Sequence, residues 1–363
     1  MNLTLLTILI INMKKMKLFC PLLFTLLLLC QCNTERRKGI IMTVNGPVNL
    51  DQMGISLTHE HILVDFIGAD SISESRWDRK KVINKSLPYL RQIKELGCRT
   101  FVDCTPAYLG RDPLILKSLS DSTGLNIITN TGYYGANNNK YVPRFALSES
   151  ADQLAERWIK EWGKGIGETG IKPGFIKIAV NGDSLSEFHK KLITAAARTH
   201  LKTGLTIASH TGPAVLAFEQ LAVLEKEGVS PEAFIWVHAM NEKEPGNLIK
   251  AAQKGAWISL DNLNENNVGE LMNIIKIMKQ NNLLNKVLLS HDAGWYDPAK
   301  ENGGSYRGYS TLFEKLIPAL REEKFSEEEI HTLLVSNPAQ AFEIKVRKKE
   351  QTNNRTIEQT KSE

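Results

Sequence analysis

The sequence predicts a (β/α)8 barrel, and three observations carry that expectation. Eight short apolar runs recur from residue 55 onward, separated by amphipathic stretches. Such alternation is the pattern of βα units feeding a parallel sheet. Several of the amphipathic stretches end in glycine, which readily takes the left-handed conformation of a helix C-cap. Histidines, a lysine and an aspartate fall inside or at the ends of the runs, and in such barrels the C-terminal ends of the strands carry the chemistry.

The bounds agree. The chain has 363 residues, 42% hydrophobic and 23% charged, enough for one large core. The formal net charge is +5, but basic residues in the middle are interspersed with acidic ones, as on a solvated face. No nucleic-acid partner is expected.

Taken in order, Lys14, Lys15 and Lys17 precede the apolar run Leu18 to Cys30. A basic segment before a short apolar run is a secretory signal pattern, and the run is too short for a membrane span. A start at Met13 or Met16 would give the more usual signal length. Cys30 and Cys32 resemble a bacterial lipoprotein processing site, without the usual small residue before the cysteine. Residues 1–32 are thus expected to be a signal peptide or lipoprotein leader, with a lipid anchor at Cys30 or Cys32. The location is then exported: periplasmic, or anchored to the bacterial envelope. Residues 33–40 read as a polar linker, 41–344 as the barrel, and 345–363 as a polar, disordered tail. Cys98 and Cys104 bracket one strand, about 20 Å apart if extended. That is beyond disulfide reach, so both are expected in the core.

A short strand or hairpin is expected over Ile40–Val48. The eight barrel strands are expected at Ile55–His61, Arg99–Cys104, Asn126–Thr131, Gly174–Ala179, Leu205–His210, Ala233–His238, Ala256–Leu260 and Lys286–His291. Helices are expected over Leu87–Leu96, Leu154–Trp162, Phe188–Thr203, Ala214–Glu227, Gly246–Lys254 and Met272–Asn281, then over 310–323 and 326–335.

The polar residues placed by these strands form a constellation. His59 and His61, two apart, share one face of the first strand. They could hold a metal, or be a polar pair at a strand exit. Lys177 lies inside an apolar strand, where an ammonium is costly unless paired or neutralised. His210, His238 and Asp292 close three other strands. Each alone could be a core histidine or a turn cap; together they converge on one mouth.

This pattern resembles the phosphotriesterase family of the amidohydrolase superfamily, with its phosphotriesterase-like lactonases and phosphotriesterase homology proteins. The matching stretches are Thr58-His59-Glu60-His61, Gly174-Phe175-Ile176-Lys177-Ile178-Ala179, Ser209-His210-Thr211-Gly212, the strand end at His238, and Leu289-Ser290-His291-Asp292. The resemblance runs from about Thr43 to Phe342. It implies that His59, His61 and Asp292 hold the more buried of two divalent ions and that His210 and His238 hold the second. It implies that Lys177, as N6-carboxylysine, bridges them. Such a pair can bridge a hydroxide and lower its pKa toward neutrality, with Asp292 accepting the proton as it attacks. Imidazole and carboxylate ligands suit zinc, with manganese, cobalt or iron as substitutes. Relatives are often homodimers.

Two departures bear on the substrate. Efficient organophosphate hydrolases of the family carry His after the aspartate that ends strand 7 and Asp three residues beyond the strand-6 histidine. Here those places hold Asn262 and Asn241, so that proton relay is absent. Lactonase-like relatives often place Arg at the first of these positions, and Asn262 departs from that too. Tyr133 and Tyr134 match a region where such relatives use tyrosine near a lactone ring. Trp295 and Tyr296 could line a pocket. The expected function is binuclear-metal hydrolysis of a small-molecule ester-like bond, a lactone or carboxylic ester, with organophosphate triesters as a side activity. The rivals are an amide or phosphodiester hydrolase with the same centre, and a non-catalytic binding protein on the same barrel.

Overall fold

The structure, a computed structural model, describes residues 39–350. The expected leader, with Cys20, Cys30 and Cys32, lies outside the described residues, as do 33–38 of the linker and 351–363 of the tail.

The described chain opens with the hairpin of β1 (Ile40–Thr43) and β2 (Gly46–Asn49), paired antiparallel with Thr43 opposite Gly46. The eight expected strands follow. They are β3 (Ser56–Glu60), β4 (Thr100–Asp103), β5 (Asn126–Ile128) with β6 (Asn130–Thr131), β7 (Phe175–Ala179), β8 (Thr206–His210), β9 (Phe234–Val237), β10 (Trp257–Leu260) and β11 (Val287–Leu289). The third expected strand is broken at Thr129. All pairings among β3 to β11 are parallel, in a three-stranded sheet β3-β4-β5 and a six-stranded sheet β11-β10-β9-β8-β7-β6. The last strand meets the first through side chains: Thr58 Oγ1 donates to Leu289 O at 3.2 Å, and Ser290 Oγ accepts from His59 N at 2.9 Å.

Helices connect the strands: α1 (Arg79–Glu95), α2 (Pro113–Thr123), α3 (Arg144–Ser148), α4 (Ala151–Lys164), α5 (Glu187–Thr203), α6 (Ala214–Lys226), α7 (Pro245–Gln253) and α8 (Val268–Gln280). Beyond β11, π-type turns lead into α9 (Ile317–Glu322) and, after α10 (Glu327–His331), into α11 (Asn337–Phe342). Helix α2 is the one long element without a counterpart in the expected list. Its ends are nonetheless well marked. Asp112 caps Leu114 N and Ile115 N, Pro113 opens the helix, and Gly124 closes it at φ 66°, as helix boundaries require.

Nearly all residues of β3 to β11 are buried, on both faces, which suits parallel strands covered by helices. Ile176, Ile178 and Ile207 pack with the helical side chains, whereas Phe175, Ala208 and Ile235 pack with Ile41, Met53 and Phe342. Cys98 and Cys104 are free and buried, as expected.

The ordered chain also extends past residue 344. Lys345 N donates to Gly204 O and Lys349 N to Gly228 O, both at 3.0 Å. The buried Arg347 reaches Thr206 Oγ1 and the carbonyls of Gln340, Glu343 and Lys345. Residues 345–350 read as tail from composition alone because a buried arginine with carbonyl partners resembles a solvated one in sequence.

Candidate metal centre

The strand ends bring the expected ligands together. His59 is the fourth residue of β3, and His61 follows the strand. Lys177 sits in the middle of β7, His210 ends β8, His238 follows β9, and Asp292 lies just beyond β11. All six line one cavity of about 110 Å³, together with Val64, Phe66, Leu109, Tyr134 and Trp295. The ligand atoms of His59, His61 and Asp292 lie within 4.8 Å of one another. Asp292 Oδ1 stands 3.0 Å from His61 Nε2 and 3.7 Å from His59 Nε2. The His210 and His238 rings meet edge to face with centroids 4.6 Å apart.

Asp261, which follows β10, organises the histidines, a role the sequence reading did not give it. Its Oδ2 accepts from His59 Nδ1 at 3.0 Å, from His238 N at 3.0 Å and from Ser259 Oγ at 2.6 Å; its Oδ1 accepts from His238 Nδ1 at 2.7 Å. With Nδ1 of each ring committed, Nε2 is left as the lone-pair nitrogen, the arrangement a metal-binding imidazole needs. His61 is steadied by Thr105, whose Oγ1 lies 2.7 Å from its Nδ1. The signal in sequence was position alone: Asp261 closes a strand as the ligands do, but its partner His59 is 202 residues away.

Beneath the centre, buried Glu60 fixes the loop that carries Asp292. Glu60 Oε1 accepts from Ser290 Oγ, His291 N and His291 Nδ1, and Oε2 accepts from Ala293 N. His291 Nε2 in turn accepts from Leu312 N at 3.0 Å. His238 and Asp292 hold φ values of 62° and 51°, in a region that costs a residue with a Cβ free energy and that recurs at functional sites.

The electrostatics follow from burial and neighbours. Burial, with the Lys177 charge, lowers His59 to about 4. Burial and the His238 and Lys177 charges take His210 well below the ordinary value. Burial opposes charge on His238 too, but the Asp261 carboxylate outweighs it and raises the pKa. Burial likewise works against Asp261 and Asp292, yet the histidines around them hold both carboxyls below the usual range. Both acids are therefore anions at neutral pH. Lys177 Nζ is buried and has no hydrogen-bond partner among the described residues.

Of the expected substrate residues, Tyr134 and Trp295 line the cavity. Tyr134 OH lies 3.0 Å from His210 Nδ1. Trp295 stands edge-on to His61 at 5.7 Å and against Phe66 at 5.8 Å. Tyr133 does not reach the cavity. Its ring packs on Tyr108, Phe145 and Trp158, because consecutive extended residues point to opposite sides. Tyr296 is buried, its backbone bonded to Ile62 and Val64. Asn262 and Asn241 are exposed, and neither lines the cavity.

Comparison with known sequences gives a consistent picture. A sequence model of the phosphotriesterase family matches residues 39–342. The chain is 28% identical to the phosphotriesterase homology protein of Escherichia coli K12 over 300 residues, 82% of this chain and 100% of the relative. It is 27% identical to the aryldialkylphosphatase of Saccharolobus solfataricus over 309 residues, 80% of this chain and 95% of that one. With the N-acetyltaurine hydrolase of Dictyostelium discoideum it shares 24% identity over 370 residues, 85% and 99% of the two chains.

Proposed function

The chain belongs to the phosphotriesterase family, a family of hydrolases, and from that premise we propose that it is a (β/α)8 barrel whose two divalent ions, zinc by first expectation, serve hydrolysis of a lactone or carboxylic ester. Closure of the barrel is supported by the side-chain bonds that join Thr58 and His59 to Leu289 and Ser290.

The observation that carries the metal centre is the orphaned Lys177 Nζ among four histidines and Asp292. A buried ammonium without a partner is costly. Carboxylated on Nζ, the side chain becomes an anion fitted to cations. His59, His61 and Asp292 would then hold one ion, His210 and His238 the other, and Lys177 both. When bound, the ions supply Lewis acidity and a nucleophilic hydroxide at neutral pH. Asp292, held as an anion, can take the proton of the attacking nucleophile. Asp261 keeps His59 and His238 in the ligating tautomer. Tyr134 stands beside His210, where it can donate to a substrate oxygen. Phe66, Leu109 and Trp295 make an apolar wall around the scissile bond.

Asn241 and Asn262 cannot relay protons outward, which favours substrates with easy leaving groups or ring strain over phosphate triesters. A second reading, amide hydrolysis by the same centre, is favoured by the N-acetyltaurine hydrolases among the relatives. The leader supports export to the envelope. The test is a panel of lactones, aryl esters, acyl amides and phosphate triesters offered to full-length protein loaded with zinc or manganese. Turnover highest on a lactone or ester, with about two ions per chain by elemental analysis, is the expected result. Turnover confined to amides would replace the ester reading. Active protein without metal would overturn the centre.

A further inference from the structure

A second cavity, of about 310 Å³, adjoins the metal cavity and shares Asp292 and Trp295 with it. Its other polar side chains are Asn262, Ser305 and Arg307, all exposed. Arg307 Nη2 donates to His291 O and to Asp292 O. Its Nε and Nη1 have no hydrogen-bond partner among the described residues, and no carboxylate there lies within ion-pair distance. The side chains of Asn262 and Ser305 are likewise unengaged. A guanidinium holds its charge at any physiological pH, and with Nη2 spent on the two carbonyls, Nε and Nη1 remain as single charged donors for a carboxylate, sulfonate or phosphate oxygen. The two Nη2 contacts fix the guanidinium against the backbone, so little freedom remains to be lost on binding. The Asp292 carboxylate is the only acid lining this cavity, and in the proposed centre it is committed to a metal.

We propose that Arg307, with Asn262 and Ser305, forms an anion subsite beside the metal centre, so that the substrate is an acyl ester or amide carrying a carboxylate, sulfonate or phosphate group a short distance from the bond cleaved. This rests on the hydrolase reading above and narrows it. It gives Asn262 a role as a neutral donor beside the guanidinium, where a relay histidine would compete for the same space.

The test uses matched acetyl esters of propanol and of 3-hydroxypropanesulfonate, and the matching N-acetyl amides with and without the sulfonate, on metal-loaded full-length protein. Wild type should prefer the charged member of a pair at least tenfold in kcat/KM, the preference shrinking with added salt. Arg307→Met should cost the charged member at least tenfold more than the neutral one, mainly in KM. Ser305→Glu leaves the Arg307 clamp intact and should show the same selective loss. Equal losses on both members would mean that Arg307 only positions Asp292, and would overturn the subsite, as would absence of preference in wild type. If none of the four is turned over, the hydrolase reading is at fault, and calorimetry with propanesulfonate decides the subsite separately. Binding that Arg307→Met and Ser305→Glu each weaken upholds it; binding indifferent to both, or no binding, overturns it.

Discussion

Lys177 is the residue on which the centre turns. As a free ammonium it would repel two nearby dications by several kcal/mol at an effective dielectric of about 20. As a carbamate it would attract both. Lys177→Ala should therefore lose metal and activity together, with partial rescue by short carboxylic acids and excess metal. Lys177→Glu should retain more metal than alanine does. Lys177→Met keeps the apolar stem and serves as the packing control; two bound ions and full turnover in that variant would remove Lys177 from the centre. Asp261 makes a different prediction. It does not line the cavity, yet it orients two of the proposed ligands, His59 and His238, so Asp261→Ala should weaken metal retention about 10–100-fold, read by competition with a chelator. That the proposed ligands meet at one cavity was legible in sequence, because five of them stand at or just beyond the ends of strands that apolar runs announce and Lys177 interrupts such a run. Asp261, Thr105 and Arg307 were not assigned roles, because their partners are distant in sequence and no local spacing records the pairing.

Among the elements, the loops that follow the strands are held by close backbone approaches. Gly132, at φ 115°, follows β6; a Cβ there would sit 2.1 Å from Lys177 O. Gly294, at φ 97°, follows Asp292; a Cβ there would sit 1.8 Å from His61 O. Gly132→Ala should destabilise the chain by about 1–3 kcal/mol from backbone conformation alone, more once β7 must move, and should reduce metal content by displacing Lys177. Urea unfolding and elemental analysis measure the two effects. The strands were readable because each is a short apolar run between polar punctuation. The break at Thr129 was not, since Asn126 to Thr131 keeps one pattern across it. Helix α2 escaped for a different reason: Ser118, Ser120, Ser122 and Thr123 dilute its apolar stripe, although Leu119 and Ile115 are fully buried.

For the molecule as a whole, the described C-terminal segment works as a strap. It joins the end of α5 to β8 at Gly204 and the end of α6 at Gly228. Buried His200 ties it in: Nδ1 donates to Leu205 O at 2.8 Å, and Nε2 accepts from Arg347 N at 2.9 Å. Burial lowers the pKa of His200 below 6.5. Its neutral form is thus the one the fold requires. The unfolded chain binds the proton first as pH falls, so stability should be fully present above about pH 6.5 and decline below it. His200→Gln keeps a donor and an acceptor without titrating, and should flatten the decline in urea midpoint between pH 7 and 5. A chain ending at residue 344 should lose about 3–9 kcal/mol, since the six hydrogen bonds that Lys345, Arg347 and Lys349 make to Gly204, Thr206, His200, Gln340, Glu343 and Gly228 are each worth roughly 0.5–1.5 kcal/mol.

The two glycines also bear on how such a catalyst can diversify. Where any added atom collides with a neighbouring carbonyl, almost every substitution should cost stability, so Gly132 and Gly294 should tolerate little change whatever the substrate. Phe66 and Trp295 are each 39% exposed, and Asn262 is open to solvent beside them. Drift there leaves the scaffold untouched while reshaping what the mouth admits. Directed evolution should mirror this: saturating Phe66, Asn262 and Trp295 should return mostly soluble, metal-replete clones with scattered preferences, whereas saturating Gly132 and Gly294 should return mostly insoluble ones. Counting soluble clones in the two libraries gives the comparison, and equal fractions would show that Phe66, Asn262 and Trp295 are as constrained as the two glycines.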